Sequence, residues 1–295
     1  MLLLEGKTLS NKILDALPGR IAAVSAASGR EPALAIVNYF ADSPSAVYVK
    51  RKMTVCARLG IRARFIKPEA DTGLTGFLKL LKDLSADSAV DAVMIERPLP
   101  AAFEVPAIWD AIPPEKDVDA LSSVNMGRLF ISKTMADIER GGFFVPCSAL
   151  AVIKLLNHYN IPVKGRKAAV AGRSAVVGKP LAHMLTALDA TVTLCHTKTP
   201  DISAIFKNSD LVISAAGRAR WLKSGMLHPG TIVIDAGTNM DETGKMCGDA
   251  DFDSVKETAG ALSPVPGGVG PVTLACLIEA TVKAAEKQHL GKLTS

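Results

Sequence analysis

The stretch Lys-Ala-Ala-Val-Ala-Gly at 167–172 enters the turn Arg173-Ser174-Ala175-Val176-Val177-Gly178 and then a helix-like segment reaching Asp189. No other feature constrains the fold as much, because an apolar strand that leaves a glycine turn as a helix is the opening of a parallel α/β sheet. The alternation continues, with ATVTLC (190–195), DLVISAAG (210–217) and TIVIDAG (231–237) reading as further strands of a doubly wound order. It also occurs earlier in the chain. PALAIVNY (32–39), IRARFIK (61–67) and VDAVMIE (90–96) read as strands, separated by segments 43–60 and 72–85 with apolar residues at helical spacing. Strands alternating with helices predict parallel sheets covered on both faces. The expected fold is α/β in two domains, an N-terminal parallel α/β domain and a Rossmann-type doubly wound nucleotide-binding domain.

Between them IPPEKDVDALSSVN (112–125), rich in proline and charge, leads toward Gly141–Gly142, a natural boundary. The segment 148–160 reads as a connecting helix. The tail VTLACLIEATVKAAEKQ (272–288) reads as an amphipathic helix that needs a partner for its apolar face, and it is expected to pack back on the first domain. Expected domains are therefore 1–145 plus 274–295, and 146–273.

A chain of 295 residues with 48% hydrophobic and 21% charged residues can bury two ordinary cores. The start, MLLLEGKTLS, has too short an apolar run for a secretory segment, and no later run reaches membrane length, so a soluble cytoplasmic protein is expected. Cys56, Cys147, Cys195, Cys247 and Cys276 are widely spaced and form no C-x-x-C pair, which argues against disulfides and zinc. No H-E-x-x-H arrangement occurs, and no metal is expected. The net charge of +5 is spread without a basic block, which gives nucleic-acid binding little support; small anionic ligands fit it equally well, and solubility alone accounts for it at least as readily.

The turn after 167–172 has the spacing G-x-S-x-x-x-G, with Gly172, Arg173, Ser174 and Gly178 at a helix N-terminus that suits a pyrophosphate. The next strand decides the cofactor. An acidic residue at its end would bind a ribose 2′-hydroxyl, but here it ends in His196-Thr197-Lys198-Thr199. A guanidinium from Arg173 and a hydroxyl from Thr197 suit a 2′-phosphate, so NADP is preferred over NAD. In the first domain Tyr48 and Lys52 lie one helical turn apart on one face. A tyrosine there can position a ring, and a lysine can move a proton where its surroundings let it release one near neutrality. Glu96 ends a strand, where ligands of open α/β sheets bind, and Asp119 can accept two N–H bonds from an amino-pyrimidine edge.

Tyr48-Val-Lys-Arg-Lys52, Glu96-Arg-Pro-Leu-Pro100, Lys116-Asp-Val-Asp119, Gly172-Arg-Ser174 and above all Pro264-Val-Pro-Gly-Gly-Val-Gly-Pro-Val-Thr273 occur in one order. In that order the chain resembles, over nearly its whole length, the bifunctional methylenetetrahydrofolate dehydrogenase/cyclohydrolase family. The resemblance implies two domains facing a cleft, a homodimer, and tetrahydrofolate derivatives as substrates. It implies that Lys52 is the catalytic lysine, assisted by Tyr48 and Glu96, and that Tyr48, Asp119, Pro266, Gly267 and Gly268 bind the folate. NADP would lie on Gly172, Arg173, Ser174, Gly178, Thr197, Gly237, Thr238, Gly268, Val269, Gly270 and Thr273. The implied chemistry is hydride transfer from 5,10-methylenetetrahydrofolate to NADP, then hydrolysis of the methenyl product to 10-formyltetrahydrofolate.

The sequence departs from the family pattern at several points. Glu96 replaces a glutamine, Thr54 a second lysine, and Ala120 the glycine of D-V-D-G, while Phe40–Ser45 and Pro146-Cys-Ser-Ala149 depart from G-D-N-P-A-S and P-C-T-P. A carboxylate beside the lysine favours its charged form, so a weakened cyclohydrolase is expected beside a serviceable dehydrogenase. A short-chain dehydrogenase, which shares Y-x-x-x-K, is rejected because the pair here precedes the nucleotide fold. A non-catalytic NADP-binding regulator on the same fold is the remaining rival, and the presence of Lys52 argues against it.

Overall fold

A parallel strand covered on both faces needs an apolar residue at every position, and Ala33–Asn38, reading Ala-Leu-Ala-Ile-Val-Asn, is buried throughout. The computed structural model describes residues 1–40, 45–69 and 71–291, the side chains of residues 45 and 47 excepted. Its strands begin with β1 (Leu2–Leu3), β2 (Ala33–Asn38), β3 (Arg62–Ile66) and β4 (Ala92–Glu96). β5 (Lys167–Ala171), β6 (Thr191–Cys195), β7 (Leu211–Ser214) and β8 (Ile232–Asp235) follow. A hairpin of β9 (Asn239–Met240) and β10 (Met246–Cys247) precedes β11 (Ala261–Leu262).

The chain forms two units. One comprises Ile13–Arg128, Arg140–Val145 and Leu277–Ser295, and it is built on the parallel sheet β3-β2-β4. The other comprises Met1–Lys12, Leu129–Glu139 and Pro146–Cys276, around the parallel sheet β1-β11-β8-β7-β5-β6. In the three-stranded unit, helix Leu74–Ala86 lowers Phe77, Leu81 and Leu84 onto Ala35, Val37, Val93 and Ile95. Beyond β4 the segment around Lys116 adds a parallel bridge, Val93 with Asp117, and the Val93 N–H donates to the Lys116 carbonyl at 2.8 Å.

In the six-stranded unit β5 is flanked by β6 on one side and β7 on the other. The order reverses there, so a crevice opens beyond the carboxyl ends of β5 and β7. β5, β7 and β8 are almost wholly buried, and edge strand β6 is open to solvent up to its buried last residue, Cys195. β1 pairs with β11 of the six-stranded sheet, and the Leu2 and Leu4 N–H groups donate to the carbonyls of Gly260 and Leu262. A strand of two residues has no readable period, which is why the sequence carried no sign of it. Among the described residues no helix is long and apolar enough to cross a membrane.

The last helix runs Val269–His289, and its C-terminal half packs within the three-stranded unit. Arg20 donates through Nε and Nη2 to Glu286 at 2.8 and 2.7 Å. Asp91, fully buried, accepts from the Ala33 N–H, from Arg30 Nη1 and Nη2, and pairs with His289 Nε2 at 2.8 Å. Burial pushes the Asp91 carboxyl up, but the bonds from Arg30, His289 and Ala33 outweigh it and hold the group below the usual carboxylate range. A depressed acid stabilises the fold above its unfolded value and loses that contribution as pH falls through the folded one. Asp91→Ala is therefore expected to cost about 3–5 kcal/mol. In urea denaturation the deficit should hold between pH 5 and 8 and shrink below about pH 4. A deficit that grew on acidification would contradict this assignment.

Candidate active site

In the three-stranded unit, helix Ser45–Leu59 carries Tyr48 and Lys52, and the Lys52 ammonium forms an ion pair with the Glu96 carboxylate at the end of β4. The two side chains are only 14% and 11% exposed, so water does little to screen the pair. Asp119 is half-buried, while its neighbour Asp117 is buried and accepts from the N–H groups of Leu121 and Ser122 and from Asn125 Nδ2. Of the two aspartates in D-V-D, the first builds the loop. Burial pushes the Asp117 carboxyl up against those bonds. The Phe40–Ser45 turn lies almost wholly outside the described residues.

In the six-stranded unit the turn after β5 is wound tightly. Gly172 has φ +123°, and a Cβ there would stand 2.2 Å from the Ala215 carbonyl oxygen just beyond β7. A Cβ on Gly178 would stand 1.8 Å from the Gly172 carbonyl oxygen. Both positions need glycine, for a left-handed backbone and for close approach. Ser174 Oγ accepts the Val177 N–H at 3.1 Å, and helix Gly178–Thr186 starts from this turn with Arg173, Ser174 and Ala175 exposed. The Gly172 N–H donates to the Cys195 carbonyl at 3.0 Å, which ties this turn to the one after β6, where Thr197 is exposed. A glycine cradle at the switch point, opening a helix, fits a dinucleotide pyrophosphate.

The loop Pro264–Gly270 belongs to the same unit. Gly267 has φ +116°, and its carbonyl accepts the Gly6 N–H at 2.8 Å. A Cβ on Gly6 would stand 2.0 Å from the Gly268 carbonyl oxygen. Pro266 and Gly270 are exposed, and Thr273 Oγ1 donates to the Val269 carbonyl in the first turn of the last helix.

Two buried carboxylates underlie the remaining candidates. Asp249 accepts from Ser214 Oγ, Asn239 Nδ2 and the N–H groups of Ala216 and Arg218. Asp235 accepts from the N–H groups of Gly237, Asp249 and Ala250. Each faces a glycine. A Cβ on Gly237 would meet Asp249 Oδ1 at 2.2 Å, and one on Gly248 would meet Asp235 Oδ2 at 1.9 Å. Thr238 is exposed at the end of this network. The sequence reading missed Gly6, Asp235, Gly248 and Asp249; the glycine–aspartate pairs at strand ends were the available signal. Among the described residues no group of histidine, cysteine and acidic side chains could hold a metal ion.

Residues 4–119 match the catalytic-domain model of tetrahydrofolate dehydrogenase/cyclohydrolase, and residues 146–289 match the NAD(P)-binding-domain model. The chain belongs to the tetrahydrofolate dehydrogenase/cyclohydrolase family. It is 45% identical over 287 residues to the bifunctional protein FolD of Elusimicrobium minutum, covering 97% of this chain and all of that one. The FolD methylenetetrahydrofolate dehydrogenase/cyclohydrolase of Campylobacter jejuni superposes with a TM-score of 0.90 at 37% identity, covering 98% and 99% of the two chains. The Trypanosoma brucei dehydrogenase-cyclohydrolase, solved with NADP cofactor and an inhibitor, superposes with a TM-score of 0.89 at 31% identity, covering 98% of each. In this family member the six-stranded unit holds most of the NAD(P)-binding domain and the three-stranded unit most of the catalytic domain.

The Asp235 network sets a pH dependence of its own. Burial pushes this carboxyl up to about 6, and the charge of Asp249 adds to the rise against the N–H bonds. The folded protein then binds a proton that the unfolded chain releases near pH 4, so stability rises as pH falls through about 6. Between pH 7.5 and 5 this one group should add about 1.4 kcal/mol. Urea midpoints of the parent and of Asp235→Asn would show it as a slope lost in the variant; parallel slopes would place the titration elsewhere.

Proposed function

We propose that this protein oxidises 5,10-methylenetetrahydrofolate with NADP and hydrolyses the methenyl product to 10-formyltetrahydrofolate. The observation that carries the reading is the Lys52–Glu96 pair at the carboxyl end of a sheet in a catalytic domain of this family. NADP supplies the acceptor for the hydride, and the cradle of Gly172, Arg173, Ser174 and Gly178 would hold it.

The chain's own work is binding, orientation and proton movement. Tyr48, on the same helix face as Lys52, orients the folate ring, and Asp119 accepts N–H bonds from its amino-pyrimidine edge. Hydrolysis needs a group that takes a proton from the attacking water, and Lys52 is placed for that role. Glu96 works against it. When the amine releases its proton the ion pair is lost, whereas a glutamine would keep a hydrogen bond to either form. Oxidation of the methylene carbon moves a hydride and asks for no such proton, so it suffers less. Family membership together with the presence of Lys52 favours this enzyme over a non-catalytic NADP-binding regulator. A homodimer in the cytoplasm completes the proposal, and sedimentation would report the first.

The test follows both activities in one preparation, as methylenetetrahydrofolate-dependent reduction of NADP and as decay of methenyltetrahydrofolate absorbance. Lys52→Met should abolish the hydrolysis while leaving NADP affinity nearly intact. Glu96→Gln should raise the hydrolysis rate several-fold by removing the carboxylate beside the lysine. A fall in hydrolysis on Glu96→Gln would make Glu96 the proton acceptor itself.

A further inference from the structure

His196 is the first residue past β6, half-buried, at the turn hydrogen-bonded to the Gly172 turn through the Cys195 carbonyl. Residues 196–199 close on themselves. The Thr199 N–H donates to the His196 carbonyl at 2.9 Å, and the His196 N–H donates to Thr199 Oγ1 at 2.9 Å. Within that turn the imidazole Nδ1 accepts the Lys198 N–H at 3.1 Å. A side-chain acceptor taking the N–H two residues on is the geometry that aspartate or asparagine gives an Asx-turn. Here a ring nitrogen does it, which leaves the proton of the neutral imidazole on Nε2. The bond sets the path of the backbone that carries the exposed Thr197 and Lys198.

The choice of acceptor has an electrostatic consequence. An aspartate could make the same turn, but it would put a carboxylate at the strand end where a 2′-phosphate belongs. Imidazole supplies the acceptor without negative charge. We propose that His196 is a positioning residue for cofactor choice, its Nδ1 holding the Thr197–Lys198 turn in the form that receives a 2′-phosphate. The proposal rests on the reading of Arg173, Thr197 and Lys198 as the phosphate contacts.

The experiment measures KM and kcat with NADP and with NAD for the parent, His196→Ala, His196→Asn, His196→Asp and Arg173→Ala. Losing one neutral hydrogen bond should raise the NADP KM of His196→Ala about fivefold, with the NAD KM and both kcat values within twofold. Asparagine, with Oδ1 in place of Nδ1, should recover most of that loss. Aspartate should keep the turn but lower the preference for NADP by at least about tenfold through charge. An unchanged NADP KM in His196→Ala overturns the proposal, as does an equal rise for both cofactors or an asparagine no better than alanine. Arg173→Ala separates the underlying reading. If it leaves the ratio of the two KM values unchanged, the phosphate does not bind at these turns and the proposal falls with that reading. If it lowers the preference while the histidine variants do not, the proposal alone is wrong.

Discussion

Parallel strands all end on the same side, so the loops beyond them must satisfy many backbone N–H groups at one rim, and buried carboxylates do that here. Asp235 and Asp249 together accept five backbone N–H groups from the segments that follow β7, β8 and the β9–β10 hairpin. A carboxylate has acceptor capacity for this and no donor to leave unmatched, which suits a rim of donors. The arrangement costs desolvation, visible in the raised Asp235, and it forces glycine at 237 and 248, where a side chain would strike a carboxylate oxygen. Rigid loops at the crevice are what that cost secures.

The three-stranded unit solves the same problem with different residues. Asp117 accepts two backbone N–H groups and the Asn125 amide in the loop beside β4, and Asp91 takes the Ala33 N–H at the start of β2. Asp91 also has two cationic partners, Arg30 and His289, and it is held low where Asp117 is raised. The difference lies in those partners. A buried acid with a guanidinium stays charged cheaply, while one served only by dipoles does not.

The long elements were legible because each repeats a period several times. The strands read at 32–39, 61–67, 90–96 and 167–172 contain β2 to β5, and the last helix starts only three residues before its predicted 272. β1 and β11, of two residues each, and the helices Lys7–Asp15 and Pro18–Ser28 carried no comparable signal for the reading made. On the site, Lys52 and Glu96 were legible from a helix face and a strand end, and the structure joins them. Asp249 showed locally only as a glycine–aspartate pair after a short strand, because its partners come from distant loops. His196 was seen only as the lack of an acid; its hydrogen bond to Lys198 needed coordinates.

The departures from the family pattern divide by what they ask of the backbone. Ala149 stands in the first turn of helix Cys147–His158, fully buried, where alanine fits as well as proline because the first turn's N–H groups lack helical partners in either case. Ala120 is different. It has φ +56°, the left-handed region in which a Cβ costs about 1–2 kcal/mol, so the glycine of D-V-D-G answers a real demand that this chain meets with a side chain. The three hydrogen bonds on Asp117 hold the loop in that conformation and offset the cost. Neither change touches a reacting group. Glu96 sets a carboxylate against the Lys52 ammonium, and so its effect is expected in chemistry rather than in folding.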